Sequence, residues 1–278
     1  MDNNNRYGGT YMELIMLGTG NAGALSIYNT CFALKGEKEV LLVDAGGGNG
    51  IFGQLKKAGI ALTSIRDMYI THSHTDHILG AVWIVRRISA MQREGKYSGI
   101  FTVYCHDVAA ESLETICRLT LSKKDLKAIG ETIVIERITG GDKRTVQDME
   151  LTFFDIFSTK AKQFGFTALL PDGQKLVCLG DEPYNEACHE YAQDADWLMS
   201  EAFCLYGDRD IFRPYEKNHS TALDAGRLAE SLGAKNLILY HTEEKTIATR
   251  KETYTAEAKR EYTGTVCVPY DLETITLG

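Results

Sequence analysis

The apolar positions of the chain fall into short runs separated by turns, with a few longer helical patterns between them. Glu13–Leu17, Thr30–Leu34, Val40–Val43 and Met68–Thr71 are β-rich and end in turn or polar residues, so each predicts a strand. Ile51–Ala58 predicts a helix, and Gly80–Arg93 an amphipathic one with Ile84, Ile88 and Met91 on a shared face. A strand over Ile100–Tyr104 and a helix over Val108–Ala128 follow. Strand patterns return at Thr132–Glu136, Leu151–Phe157, Phe166–Leu170 and Lys175–Leu179, with Pro171-Asp172-Gly173 as the hairpin turn between the last two. Next come a helix at Asn185–Ala192, a strand at Trp197–Met199, a helix at Thr221–Leu232, a strand at Asn236–Tyr240, a helix at Ile247–Tyr262 and a strand near Val266. Two batches of strands, each followed by helices and without repeats or a long linker, predict one continuous α/β domain over residues 13–278. A polar lead occupies residues 1–12, with Met12 a candidate native start.

Composition narrows the class of partner. With 278 residues, 44% of them hydrophobic, the chain can bury a large core without disulfides. A formal charge of -8 disfavours a broad nucleic-acid-binding face and favours a small substrate. The seven cysteines are odd in number, scattered and never spaced C-x-x-C, which predicts reduced thiols and a cytoplasmic protein. No apolar stretch approaches the roughly 18 residues that a membrane helix needs.

Two motifs compete for attention. Gly18-Thr19-Gly20-Asn21-Ala22-Gly23 fits G-x-G-x-x-G after a strand, with Asp44 downstream as in a dinucleotide site. A crossover helix should follow it, yet the next elements flank Gly36-Glu37 like a hairpin, so the glycines read as a loop between strands. The second motif is Thr71-His72-Ser73-His74-Thr75-Asp76-His77, at a strand-to-helix junction. A turn there lets alternate imidazoles and a carboxylate converge as ligands for Zn, Mn or Fe.

On these residues the chain resembles the metallo-β-lactamase superfamily, whose signature is H-x-H-x-D-H, and the resemblance implies a four-layer αββα sandwich. It further implies Asp181, in Leu179-Gly180-Asp181, as a carboxylate bridging two metals, and His241, closing Leu237–His241, as the last ligand. The ligand set is then His72, His74, Asp76, His77, Asp181 and His241, for one or two zinc ions or for Mn or Fe, with Asp44 orienting the histidine loop from behind. A narrower resemblance is to the ribonuclease Z branch of phosphodiesterases, carried by Asn218-His219-Ser220-Thr221-Ala222 and by Ser200-Glu201-Ala202. It implies His219 as general acid with Glu201 as its orienting partner, Asp76 as both ligand and holder of the nucleophile, and Ser220 and Thr221 as substrate contacts. The bland alternative makes Asn218 or Ser220 a helix cap and His219 an exposed neighbour.

Two departures qualify the resemblance. The family's third motif should supply another histidine ahead of Gln163-Phe164-Gly165-Phe166, but no histidine occurs between His106 and His189; the position is Phe157 or Thr159. The first-metal site would keep His72, His74 and Asp181, and the second Asp76, His77, Asp181 and His241. The tRNA-binding arm of bacterial ribonuclease Z also has no room between Phe157 and Asp181, where two strands and a turn use the segment. Armless relatives act on cyclic nucleotides, including phage-type enzymes that destroy cyclic pyrimidine signals. The resulting expectation is a phosphodiesterase of a small or cyclic nucleotide, acting through a metal-activated hydroxide, with tRNA a poorer partner, no membrane partner and a homodimer implied by resemblance alone. Alternatives are a ribonuclease Z-like RNA endonuclease, a lactonase or thioesterase of the superfamily, and a non-catalytic nucleotide-binding module. Lys160, Lys162 and Arg213 are candidate phosphate contacts set against plain surface charge, His106 reads as a strand-end polar residue, His189 carries little weight, and Glu182 is either behind the site or exposed.

Overall fold

The computed structural model describes residues 11–277. The first part of the chain runs β1 (Met12–Gly18), β2 (Cys31–Lys35), β3 (Val40–Val43), α1 (Gly50–Lys57), β4 (Ile65–Ile70), α2 (Thr75–Arg93), β5 (Phe101–Cys105), α3 (Asp107–Thr120), α4 (Lys123–Leu126) and β6 (Ile133–Arg137). The second runs β7 (Lys143–Val146), β8 (Met149–Asp155), β9 (Phe164–Leu169), β10 (Lys175–Cys178), α5 (His189–Ala192), β11 (Trp197–Glu201), α6 (Arg209–Phe212), α7 (Ala222–Ser231), β12 (Asn236–Tyr240), α8 (Arg250–Ala258), β13 (Thr265–Cys267) and β14 (Thr274–Leu277). Among the described residues they form two seven-stranded sheets, ordered β14-β1-β2-β3-β4-β5-β6 and β13-β12-β11-β10-β9-β8-β7.

Strand periodicity explains the four layers. In β1, Leu14 and Met16 face the space between the sheets, while Ile15 and Leu17 face the helices outside, and all four are buried. Tyr69 of β4 follows the same rule: it points between the sheets, meets Phe153 at a tilt and Phe166 edge-on, and donates its hydroxyl proton to Phe164 O of the other sheet at 2.8 Å. Its neighbours Met68 and Ile70 face Ile84 and Ile88 of α2. On the far side, α7 and α8 cover Leu198, Leu237 and Leu239. This is the expected αββα sandwich.

Several boundaries differ from the sequence reading. The described part of the expected polar lead ends early, because Met12 is the buried first residue of β1 and pairs with Leu277; residues 1–10 lie outside the described residues. Helix α2 starts at Thr75 rather than Gly80, so Asp76 and His77 sit in its first turn. The predicted helix over Val108–Ala128 is interrupted after Thr120, where the Ser122 side chain accepts from Asp125 N and starts α4. The last helix begins at Arg250, not Ile247, and a 3-10 turn at Glu186–Cys188 precedes α5. The edge strands β7 and β14 were not predicted, since KRTV and TITL carry little apolar signal.

The expected hairpin is present: β2 and β3 are antiparallel, so the glycine-rich segment connects β1 and β2 and no crossover helix follows it. Strands β3 to β6 are parallel to one another, as are β10 to β13. The loops that leave β3, β4, β10, β11 and β12 therefore carry Asp44, the histidine motif, Asp181, the segment after Glu201 and His241 to one edge of the sandwich.

Candidate metal centre and active site

Local backbone choices aim these side chains. Asp44 and His241, each following a strand, have φ of 54° and 59°. That left-handed conformation is costly for residues with a Cβ and turns the chain out of the ladder. Gly80 lets α2 lie against the loop after β3, with its N–H donating to Gly46 O at 2.8 Å; a Cβ there would collide with the Ala45 carbonyl. The first turn of α2 is thereby held against Asp44, whose carboxylate faces the histidine loop.

A hydrogen-bond chain sets the imidazole tautomers. His77 Nδ1–H donates to Asp44 Oδ2 at 2.8 Å. Thr71 Oγ1 donates to the same Asp44 oxygen at 2.7 Å, which leaves it to accept from His72 Nδ1–H at 2.9 Å. Thr30 Oγ1 donates to Gly20 O at 3.0 Å and so accepts from His241 Nδ1–H at 3.0 Å. Each arrangement leaves Nε2 with a free lone pair. Those three Nε2 atoms lie 3.7, 3.4 and 3.6 Å from Asp181 Oδ2 for His72, His77 and His241 respectively. The other Asp181 oxygen accepts from Gln163 Nε2.

These separations suit a cation. Donors about 2.1 Å from a tetrahedral ion are roughly 3.4 Å apart, longer than a hydrogen bond. His72, His74 and Asp181 form one convergent group, and Asp76, His77 and His241 another, each with its ligand atoms within 4.8 Å of one another. His77 Nε2 is buried with no hydrogen-bond partner among the described residues, and His72 Nε2 faces His74 Nδ1 at 2.9 Å. Against the opposing effect of burial, Asp44 and then Asp181 and Asp76 raise the His77 imidazole well above its ordinary value. Burial likewise opposes ionisation of Asp181, yet His72, His77 and His241 hold its carboxyl well below the usual range. A cluster that so favours a positive partner fits a metal ion by its donor chemistry.

The second expected pair is more loosely joined. His219 is buried beside His241, their ring centroids 5.2 Å apart, and stacks nearly parallel on Phe203 at 4.8 Å. Its Nδ1 lies 3.7 Å from Glu201 Oε2, and neither atom has a hydrogen-bond partner among the described residues. Glu201 Oε1 accepts from Ser220 N instead. A nearby carboxylate raises an imidazole pKa in general, but here burial dominates: it lowers His219 to about 3, with His241 and Lys160 acting in the same direction, and it pushes the Glu201 carboxyl up.

Other expected residues fall elsewhere. Ser220 and Thr221 are not aimed at the cleft. Ser220 Oγ donates to Glu201 O, and the fully buried Thr221 is the N-cap of α7 in a capping box with Asp224. The helix cap is thus Thr221 rather than Asn218 or Ser220, and His219 is not an exposed neighbour. Lys162 is paired with Asp107 at 2.7 Å and Arg213 lies 3.5 Å from Glu216, whereas Lys160 lines the cleft. His106 is fully buried and caps α3 through Ala109 N; His189 is an exposed side chain near Glu186. Glu182 is buried behind the site and accepts from Ser158 Oγ and Asn218 Nδ2. Phe157 is 53% exposed with φ of 57°, and Thr159 Oγ1 accepts from Asn218 Nδ2, so neither belongs to the convergent groups. Thr30, Gln163, Phe203 and Lys217 had not been singled out as site residues; Gln163, a polar residue opening the apolar run of β9, was the most visible of them.

A cleft of about 450 Å³ opens over these groups, lined by Asn21, Ala22 and Gly23 of the glycine-rich loop with His74, Asp76, Lys160, Asp181, Phe203, Lys217, His219 and His241. The two sheets and this edge site define a metallo-β-lactamase-fold, metal-dependent hydrolase of the ribonuclease Z-like branch. The family described as Anti-Pycsar protein Apyc1 matches residues 12–257, and the chain belongs to it. The chain is 26% identical over 308 residues to a ribonuclease Z of Myxococcus xanthus (strain DK1622), covering 96% of this chain and 98% of that one. Among solved structures, the metallo-β-lactamase fold protein YhfI of Bacillus subtilis is similar with a TM-score of 0.77 at 19% identity, covering 96% and 99% of the two chains. Human tRNase Z, short form, is similar with a TM-score of 0.73 at 22% identity, covering 95% and 98%.

Proposed function

We propose that the protein hydrolyses a phosphodiester bond in a small or cyclic nucleotide, at a centre of one or two zinc ions held by His72, His74, Asp76, His77, Asp181 and His241. The observation that carries this reading is the cleft itself: candidate ligands, the His219 imidazole and two lysines line one opening of about 450 Å³, within the range of small-molecule sites. The segment between Phe157 and Asp181 supports the small substrate, because β9, the Pro171 turn and β10 leave no room there for an arm that would grip tRNA. The Myxococcus relative, a ribonuclease Z, supports phosphodiester hydrolysis.

When bound, zinc supplies Lewis acidity and lowers the pKa of water toward neutrality. The chain's own residues do the rest. Asp44, Thr71 and Thr30 hold Nδ1 of His77, His72 and His241 and so direct each Nε2 at the centre. Gln163 keeps one Asp181 oxygen occupied so that the other faces the imidazoles. Asp76, at the start of α2, reaches the cleft as ligand and as acceptor for the attacking water's proton. His219 gives its Nε2 proton to the leaving oxygen; Phe203 fixes the ring plane, and Glu201 stands behind Nδ1. An anionic substrate beside the ring favours imidazolium and so opposes the effect of burial.

Turnover of 3′,5′-cyclic nucleotides and of bis-p-nitrophenyl phosphate by His219→Ala tests the acid role. The variant should lose about a hundredfold or more on the cyclic nucleotide and much less on the p-nitrophenyl ester, whose leaving group needs no proton. Equal rates for parent and variant on the cyclic substrate would exclude His219 as the acid. Cleavage of precursor tRNA in preference to every small diester would exclude the substrate class.

A further inference from the structure

We propose that Lys160 is the side chain that binds the non-bridging oxygens of the substrate phosphate, so that the third-motif loop contributes a cation where the family pattern calls for a metal ligand. The assignment rests on the phosphodiesterase reading above.

The loop over residues 157–162 is fastened at several points. Ile156 N donates to Gln163 O at 3.1 Å where the loop closes, and the Gln163 side chain reaches Asp181. Within the loop, Ser158 Oγ donates to the buried carboxylate of Glu182 at 2.7 Å and accepts from Lys160 N at 3.2 Å. Glu182 in turn accepts from Asn218 Nδ2, beside His219. The Lys160 main chain is therefore positioned from beneath by groups that belong to the centre, and its side chain lines the cleft with Asp181, His219 and His241.

Charge separates Lys160 from the other basic candidates. Lys162 is engaged by Asp107 and Arg213 by Glu216. Lys217 also lines the cleft, but its Nζ lies over the Phe203 ring, 5.0 Å from the centroid. Lys160 has no ion-pair partner among the described residues and lines the cleft. An unpaired ammonium beside Asp181, His219 and His241 suits a phosphodiester anion, to which it donates charge-assisted hydrogen bonds. Because neither Phe157 nor Thr159 joins the ligand groups, the phosphate at the His72–His74 side has more need of a protein cation than it would beside a fully liganded metal.

Calorimetric titration of inorganic phosphate into the zinc-loaded protein, at fixed ionic strength, tests the proposal. Lys160→Gln should weaken phosphate binding about tenfold or more, with Lys160→Arg restoring part of it and Lys162→Gln leaving it unchanged. On bis-p-nitrophenyl phosphate, kcat/KM of Lys160→Gln should fall by a similar factor, mainly through KM, with metal content and Tm as in the parent. Phosphate affinity within twofold of the parent in Lys160→Gln, or an equal loss in Lys162→Gln, would overturn the assignment. If the parent binds phosphate in a Lys160-dependent way but hydrolyses no phosphodiester, the functional reading fails while Lys160 remains an anion-binding residue.

Discussion

Asp76, His77 and His241 are all buried, and the two imidazoles are held from behind by Asp44 and Thr30. Across Asp181, His72 is held by Thr71, but His74 is half-buried, faces the cleft, and meets His72 Nε2 rather than an acceptor that would fix its ring. No side chain from the third-motif loop completes that half. The two halves thus draw on the same donor types, yet one is pre-organised and the other is left open toward the cleft. Ligand count alone would miss this contrast, since the difference lies in which ring nitrogens have partners behind them.

Asp181 is the hinge of the comparison, and its loss should have the largest effect. Asp181→Asn should bind little zinc in either half, read by elemental analysis, and lose at least about a thousandfold in phosphodiester turnover. Retention of one full zinc equivalent would mean that the halves do not share this carboxylate. Removing support rather than a donor should cost less: Asp44→Asn and Thr30→Val are expected to weaken zinc binding roughly 10- to 100-fold in a chelator competition, with Thr30→Val acting on the His241 half alone. Unchanged affinity in both would make the tautomer chain irrelevant to the metal.

The open half can be sharpened by filling it. Phe157→His or Thr159→His, whichever restores the missing donor, should raise zinc stoichiometry and tighten the weaker of two binding events. A gain from neither substitution would show that the opening is not a lost ligand position. The smallest effect lies away from the cleft, on β4, where burial and then Glu39 raise Asp67 from 3.8 to about 6. Because the folded state holds this proton more tightly than the unfolded chain, the ionised carboxyl destabilises the fold above pH 6, and the penalty fades as pH falls toward 4. Asp67→Asn should therefore raise Tm at pH 8 by about 2 °C, equivalent to roughly 1 kcal/mol after solvent screening, and by less at pH 5. An equal gain at both pH values would point to packing rather than charge.

The sequence was most legible where chemistry is dense. His72, His74, Asp76 and His77 lie within six positions at a strand-to-helix junction, and the family resemblance they carry pointed to Asp181 and His241, each of which follows a short apolar run. The absence of a histidine between His106 and His189 was equally plain. Less legible were features with a weak apolar signal: β7 and β14 are short and half-exposed, and the break after Thr120 depends on a serine cap inside an otherwise helical pattern. Thr30 and Gln163 gave no local sign, because each acts on a partner 211 or 18 residues away.

By itself, then, the sequence determined the donor inventory and the order of most strands and helices, which follow from periodicity and residue chemistry within short windows, and its motifs carried the resemblance that implied the class of sandwich. Only the tertiary structure decided which nitrogen of His72, His77 and His241 faces the centre, that Thr221 is the buried cap of a helix, and that Lys160 alone of Lys160, Lys162 and Arg213 lines the cleft. These are properties of distance between segments far apart in the chain. A hydrogen bond or an ion pair exists only once the two sheets have brought its partners within about 3 Å of each other.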